Sequence, residues 1–175
     1  MKKQIVILLL LIIIIMIIFS NYKKLEFIEQ VDRYPSCIKS DKIALKVFHL
    51  LERNGMLDQT KLIDAYNLLI CLYQELKKYN CTQTLVTKYN NQLDKLGYIK
   101  SDLVNAKIKL FIINNNIDLS GLSYQMEYII IGCIYMIEYS SNQLGLFPDD
   151  AVELSNINIS FYNKYINEIK KLDNC

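Results

Sequence analysis

Catalysis needs side chains that can exchange a proton, donate an electron pair or hold a metal. This chain of 175 residues carries few of them in useful company. Its single histidine is His49, and a serine or cysteine nucleophile normally recruits a histidine as base. On helical spacing His49 shares a face with Lys42, Lys46 and Arg53, and no candidate nucleophile lies within a turn on that face. It reads as a solvated surface histidine. No C-x-x-C, H-E-x-x-H or Asp-rich calcium loop occurs, and the five glycines are isolated single residues that cannot form a phosphate-cradling loop. No metal, cofactor or catalytic constellation follows, and the expectation is that the protein is not an enzyme.

Two glutamates need a closer look. Glu127 and Glu138 are 11 residues apart, almost a whole number of helical turns, so they fall on one stripe with Tyr124, Tyr135 and Asn142. Three turns separate them by about 16 Å, whereas paired carboxylates in glycosidases sit about 5–9.5 Å apart. The stripe is expected to be the wet edge of a core helix. Asp149-Asp150 similarly reads as a charge pair at the positive end of a helix dipole. The glycosylation-type triplets Asn80-Cys81-Thr82 and Asn158-Ile159-Ser160 are no more than an Asn-rich chain supplies by chance.

Five cysteines allow at most two bonds within the chain. Cys71 and Cys81 are about 15 Å apart if helical throughout and cannot meet, since a disulfide needs Cα atoms within about 7 Å. Cys37 precedes one helix and Cys81 follows the next. If the two helices form an antiparallel hairpin, both cysteines arrive at the same end. A Cys37–Cys81 bond is therefore expected, closing a loop of about 45 residues for on the order of 4 kcal/mol on the chain-entropy model. Cys133 is expected to be buried and Cys175 to lie at a frayed end.

The elements that position these residues are read from periodicity. Met1-Lys2-Lys3-Gln4 precedes an unbroken apolar run from Ile5 to Phe19, the pattern of an export signal or signal-anchor. No small-residue cleavage triplet follows, which favours retention. Residues 1–21 are thus a signal-anchor or signal peptide, 22–35 a helical stalk that Pro35 ends, and 36–175 a helical bundle domain. The fold expected is all-α: one N-terminal transmembrane helix, then a compact antiparallel bundle of about six helices. Ser40-Asp41 caps a helix to about Asn54. The next runs from about Asp58 to Tyr79, and a third from Gln83 to Leu96, stopped by Gly97. A fourth, from Ser101-Asp102 to about Asn114, has apolar residues on two faces and is placed in the middle of the bundle, although Lys107 to Leu110 also alternates as a strand would. The most apolar body helix, about Leu122 to Gln143, is broken by its two glutamates and cannot supply the ~20 apolar residues of a span. A short helical turn at Pro148 and a final helix from about Asn156 to Leu172 complete the chain.

Function is read mainly by exclusion. A net charge of +2 and interspersed signs exclude an ordinary nucleic-acid binder. The Lys42, Lys46, His49 and Arg53 face is the most basic patch and could lie on anionic headgroups. The reading is a non-enzymatic, membrane-anchored helical interaction or structural module. Its N-terminus is cytoplasmic, its body is exoplasmic, and its partners are the membrane and a protein. The alternative is a secreted inhibitor or immunity-type protein that blocks a toxin or hydrolase; a membrane-proximal enzyme stands third.

Overall fold

The computed structural model describes residues 11–21, 37–39 and 41–175. Among the described residues all regular structure is helical, with no strand. Helix α1 covers residues 11–21; then follow α2 (Lys42–Arg53), α3 (Thr60–Lys78), α4 (Gln83–Leu96), α5 (Asp102–Asn114), α6 (Tyr124–Asn142) and α7 (Pro148–Lys170). No helix among the described residues is long and apolar enough to cross a membrane. Of the expected membrane segment, Ile5 to Leu10 lie outside the described residues, as does the stalk at 22–35; residues 11–21 are helical with exposed side chains.

Local chemistry sets the ends. The carboxylate of Asp41 accepts from the Ile43 N–H at 2.9 Å and the Ala44 N–H at 2.8 Å, satisfying donors that the first turn of α2 would otherwise orphan. The Thr82 hydroxyl accepts from the Leu85 N–H at 3.2 Å to open α4, and Gly97, at φ +93°, closes it in the left-handed region that a side chain would resist. Ser101 and Ser123 cap α5 and α6 in the same way.

The bundle is built around α6, which packs on α3, α4, α5 and α7. Ile129 to Ile134 are buried in succession, so neighbours cover the helix on every side. Gly132 lets α4 approach: a Cβ there would lie 2.7 Å from Leu93 Cδ1. Helix α2 packs chiefly on α7.

Three expectations are corrected. α5 is not central: it packs chiefly on α6, with Phe111 edge-on to Tyr162 of α7, buries only Ile108 and Ile112, and leaves Leu103, Leu110 and Ile113 at 68, 61 and 67% exposure. Two apolar faces need two partners, and the longer α6 takes the centre. The separate turn at Pro148 and the break before Asn156 are also absent, because Pro148 occupies the first turn of one continuous 23-residue helix, where its missing N–H costs nothing.

The third correction is the disulfide pairing. Cys37 is bonded to Cys71, with Cα atoms 5.5 Å apart, and Cys81 to Cys175, at 5.2 Å; the Cys37–Cys81 bond does not form. The hairpin count treats the two helices as equal in length, but α2 has 12 residues and α3 has 19. At 1.5 Å per residue they span about 18 and 28 Å. The start of α2 therefore reaches only partway along α3, level with Cys71 and roughly 10 Å short of its end. Cys175 is not frayed. Besides its bond to Cys81, the tail is held by Asn174 Oδ1 accepting from the Cys81 N–H at 3.0 Å and by Asp173 accepting from the Ser123 N–H at 2.6 Å.

Candidate functional site

The structure places the residues singled out by sequence in separate settings. His49 is exposed on α2, its Nδ1 3.7 Å from the Glu52 carboxylate one turn on. Lys42, Lys46 and Arg53 are exposed beside it. Arg53 is engaged by acidic residues of α7, hydrogen-bonding Asp150 and, at 2.8 Å, Glu153 Oε2. This breaks up the basic face that a headgroup surface would meet. Cys133 is buried and free, and burial pushes its thiol up to about 12, which makes it a poor nucleophile. Asn80 is exposed, whereas Asn158, the other glycosylation-type asparagine, is 1% exposed.

The polar residues that come together lie along α7. Asn158, Phe161, Tyr162 and Tyr165 share its inward face, and two carboxylates from other helices meet that face at two corners. At the first corner, Asp41 caps α2 through Oδ1 while its Oδ2 accepts from Lys164 Nζ and, at 2.6 Å, from the Tyr165 hydroxyl. Burial alone would raise this carboxyl. The hydrogen bonds from Lys164, Tyr165 and the Ala44 N–H outweigh it and hold Asp41 below its ordinary value of 3.8.

At the second corner, the Tyr66 hydroxyl of α3 donates to Asn158 Oδ1. This fixes the amide so that Nδ2 donates to Glu138 Oε1 at 3.0 Å and to Ser141 Oγ at 3.2 Å. The Tyr162 hydroxyl donates to the same Glu138 oxygen at 2.7 Å. Burial raises Glu138 above its ordinary 4.5 despite these bonds. Every group that holds Glu138 is neutral; it makes no ion pair with a described residue.

Tyr124 and Asn142 of the expected wet stripe are exposed and Glu127 and Tyr135 are half-buried, and so is Glu138. Beside it opens a pocket of about 210 Å³ between α6 and α7, lined by Glu138, Ser141, Asn142, Gly145, Leu146, Ala151, Leu154, Ser155 and Asn158. The rim residues Asn142, Gly145 and Ala151 are exposed, and the floor residues Leu154 and Asn158 are buried. The second carboxylate of the stripe, Glu127, is half-buried beside α5, in a different groove with Lys100 and Lys109. The two glutamates do not act together. The pocket is suited to holding a hydrogen-bond donor or a cation, and His49 is outside it.

Asn158 escaped the sequence reading although its position carried the signal. It lies three residues before Phe161 and seven before Tyr165, on the stripe already assigned to the core. An asparagine at such a position must find buried partners.

A second surface is the outer face of α5. Leu103, Ala106, Leu110 and Ile113 recur at helical spacing on the side away from α6, and all four are exposed. Comparison of the chain with protein-family models, with curated proteins and with solved structures finds no match.

Proposed function

We propose that the protein is a non-enzymatic helical interaction module, anchored in a membrane by its N-terminal apolar segment and displayed outside the cytoplasm. The observation that carries this reading is the pair of disulfides. They span 34 and 94 residues of sequence, and bonds of this kind persist in oxidising compartments and are rare where glutathione and thioredoxin keep thiols reduced. The run from Ile5 to Phe19 supplies the route out of the cytoplasm. The α5 stripe supports a role in binding: three large apolar side chains exposed on one helix face form the kind of apolar patch that marks an interaction surface.

The test is carbonate washing of native membranes combined with a membrane-impermeant amine label on intact cells. The protein should stay in the membrane fraction with residues 5–19 present, and its exposed lysines, among them Lys107 and Lys109, should label without lysis. A mature chain starting near Asn21 and released by washing would shift the reading to a secreted inhibitor. Labelling only after lysis would overturn the exoplasmic placement.

A further inference from the structure

We infer that the pocket between α6 and α7 is a receptor for one arginine side chain of the partner polypeptide, with the guanidinium seated against Glu138. The inference rests on the reading of the chain as an interaction module and gives that module its recognition chemistry.

Four observations carry it. Glu138 is a carboxylate set into the protein with no cationic partner among the described residues; both of its hydrogen bonds come from neutral groups and fall on Oε1. Burying an unpaired charge is costly, so such groups in proteins are normally paired or neutralised. The orientation is prepared in advance, because Tyr66 fixes Asn158, and Asn158 and Tyr162 fix the carboxylate. A ligand would find the oxygens already in place, which is what lowers the cost of binding.

The lining is rich in acceptors and lacks cations. Glu138, Ser141, Asn142 and Ser155 contribute side-chain oxygens, and no lysine or arginine among the described residues lines the pocket.

Size selects the ligand. About 210 Å³ is smaller than the roughly 300–1,000 Å³ of a small-molecule cleft, and it holds about seven waters at liquid density. That suits the head of a single side chain. A hard metal ion is a poor fit, since calcium takes 6–8 oxygens, typically from several carboxylates and carbonyls, and only one carboxylate is offered. A guanidinium is planar, weakly hydrated and carries five donors, so it gives up water more readily than an ammonium on entering a half-buried acceptor site.

The experiment titrates the full-length chain in detergent micelles with N-acetyl-arginine amide, with the neutral N-acetyl-citrulline amide and Nα-acetyl-lysine amide as comparators. The arginine probe should bind at least tenfold more tightly than the citrulline probe and more tightly than the lysine probe. Glu138→Gln should abolish the preference over citrulline. Because that variant touches the buried network, Ala151→Trp is the second arm: it places a large ring at the exposed rim, and should lose probe binding with helicity and both disulfides unchanged. Equal binding of the citrulline probe, no saturable arginine binding, or undiminished binding by Ala151→Trp would overturn the inference. A lysine probe binding as tightly as arginine would overturn its guanidinium part. The titration needs neither an anchor nor a partner, so its outcome is independent of where the protein is found in the cell.

Discussion

Two carboxylates meet the same helix and end in opposite states. Asp41 and Glu138 both accept from a tyrosine hydroxyl of α7, Tyr165 and Tyr162 respectively. Asp41 also holds Lys164 and two backbone N–H groups, so its charge is compensated and its role is structural: it starts α2 and ties that helix to the end of the chain. Among the described residues Glu138 has neutral donors only, and it faces an open pocket. Charge compensation, more than burial, separates a side chain that completes the fold from one that is left to bind something.

The largest expected effect tests the Asp41 corner. The Cys37–Cys71 bond anchors the chain four residues ahead of Asp41, and a loop of this length is worth roughly 4 kcal/mol at most on the chain-entropy model. Cys37→Ser with Cys71→Ser should lower stability by up to that amount in denaturant unfolding, while the Glu138 pocket, which has no disulfide beside it, keeps its geometry. Asp41→Ala comes next, at about 2–3 kcal/mol. It removes a helix cap and leaves the Tyr165 hydroxyl and Lys164 without their acceptor. Glu138→Gln should change stability by no more than about 1 kcal/mol, because a glutamine oxygen still accepts from Tyr162 and Asn158 and an uncompensated charge is gone. Equal losses for Asp41→Ala and Glu138→Gln would erase the contrast.

The pH response should separate the two corners by sign. Asp41 is held below 3.8 in the folded protein, so its contribution is present above that value and is lost as pH falls through the folded value. Glu138 is raised above 4.5. Between 4.5 and the raised value the folded state binds more protons than the unfolded one, so stability falls as pH rises through this window. Unfolding midpoints measured between about pH 2 and 7 should therefore show a smaller acid-side decline in Asp41→Asn and a weaker opposite trend in Glu138→Gln, with the lowered Asp118 and Glu168 and the raised Asp64 supplying the remainder. The smallest effect lies outside both corners: His49→Ala should alter stability by no more than about 0.5 kcal/mol and leave binding intact.

What the sequence made legible was local. Thr82 and Gly97 bracket α4 at its observed bounds, and Asp41 and Asn54 do the same for α2, because caps act over one turn. What it hid was relational. α5 and α6 both carry apolar residues on more than one face, and periodicity alone cannot say which becomes the centre. The 19-residue α6 makes contacts on four sides, while the 13-residue α5, with Lys107 and Lys109 midway, is left at the edge. The disulfide register failed for the same reason: it depended on the relative lengths of two helices across a turn. The Glu138 site was half visible, since its stripe was found, but its partner Asn158 sits 20 residues on, in another helix.

The central claim is that a body fastened by two long-range disulfides stands outside the cytoplasm. Mass mapping of unreduced peptides, from protein taken from its native membrane under thiol-blocking conditions, tests it most directly. The expected map joins Cys37 to Cys71 and Cys81 to Cys175 and leaves Cys133 as the one alkylated thiol, labelled only after denaturation. Five alkylated thiols, or a peptide joining Cys37 to Cys81, would contradict it.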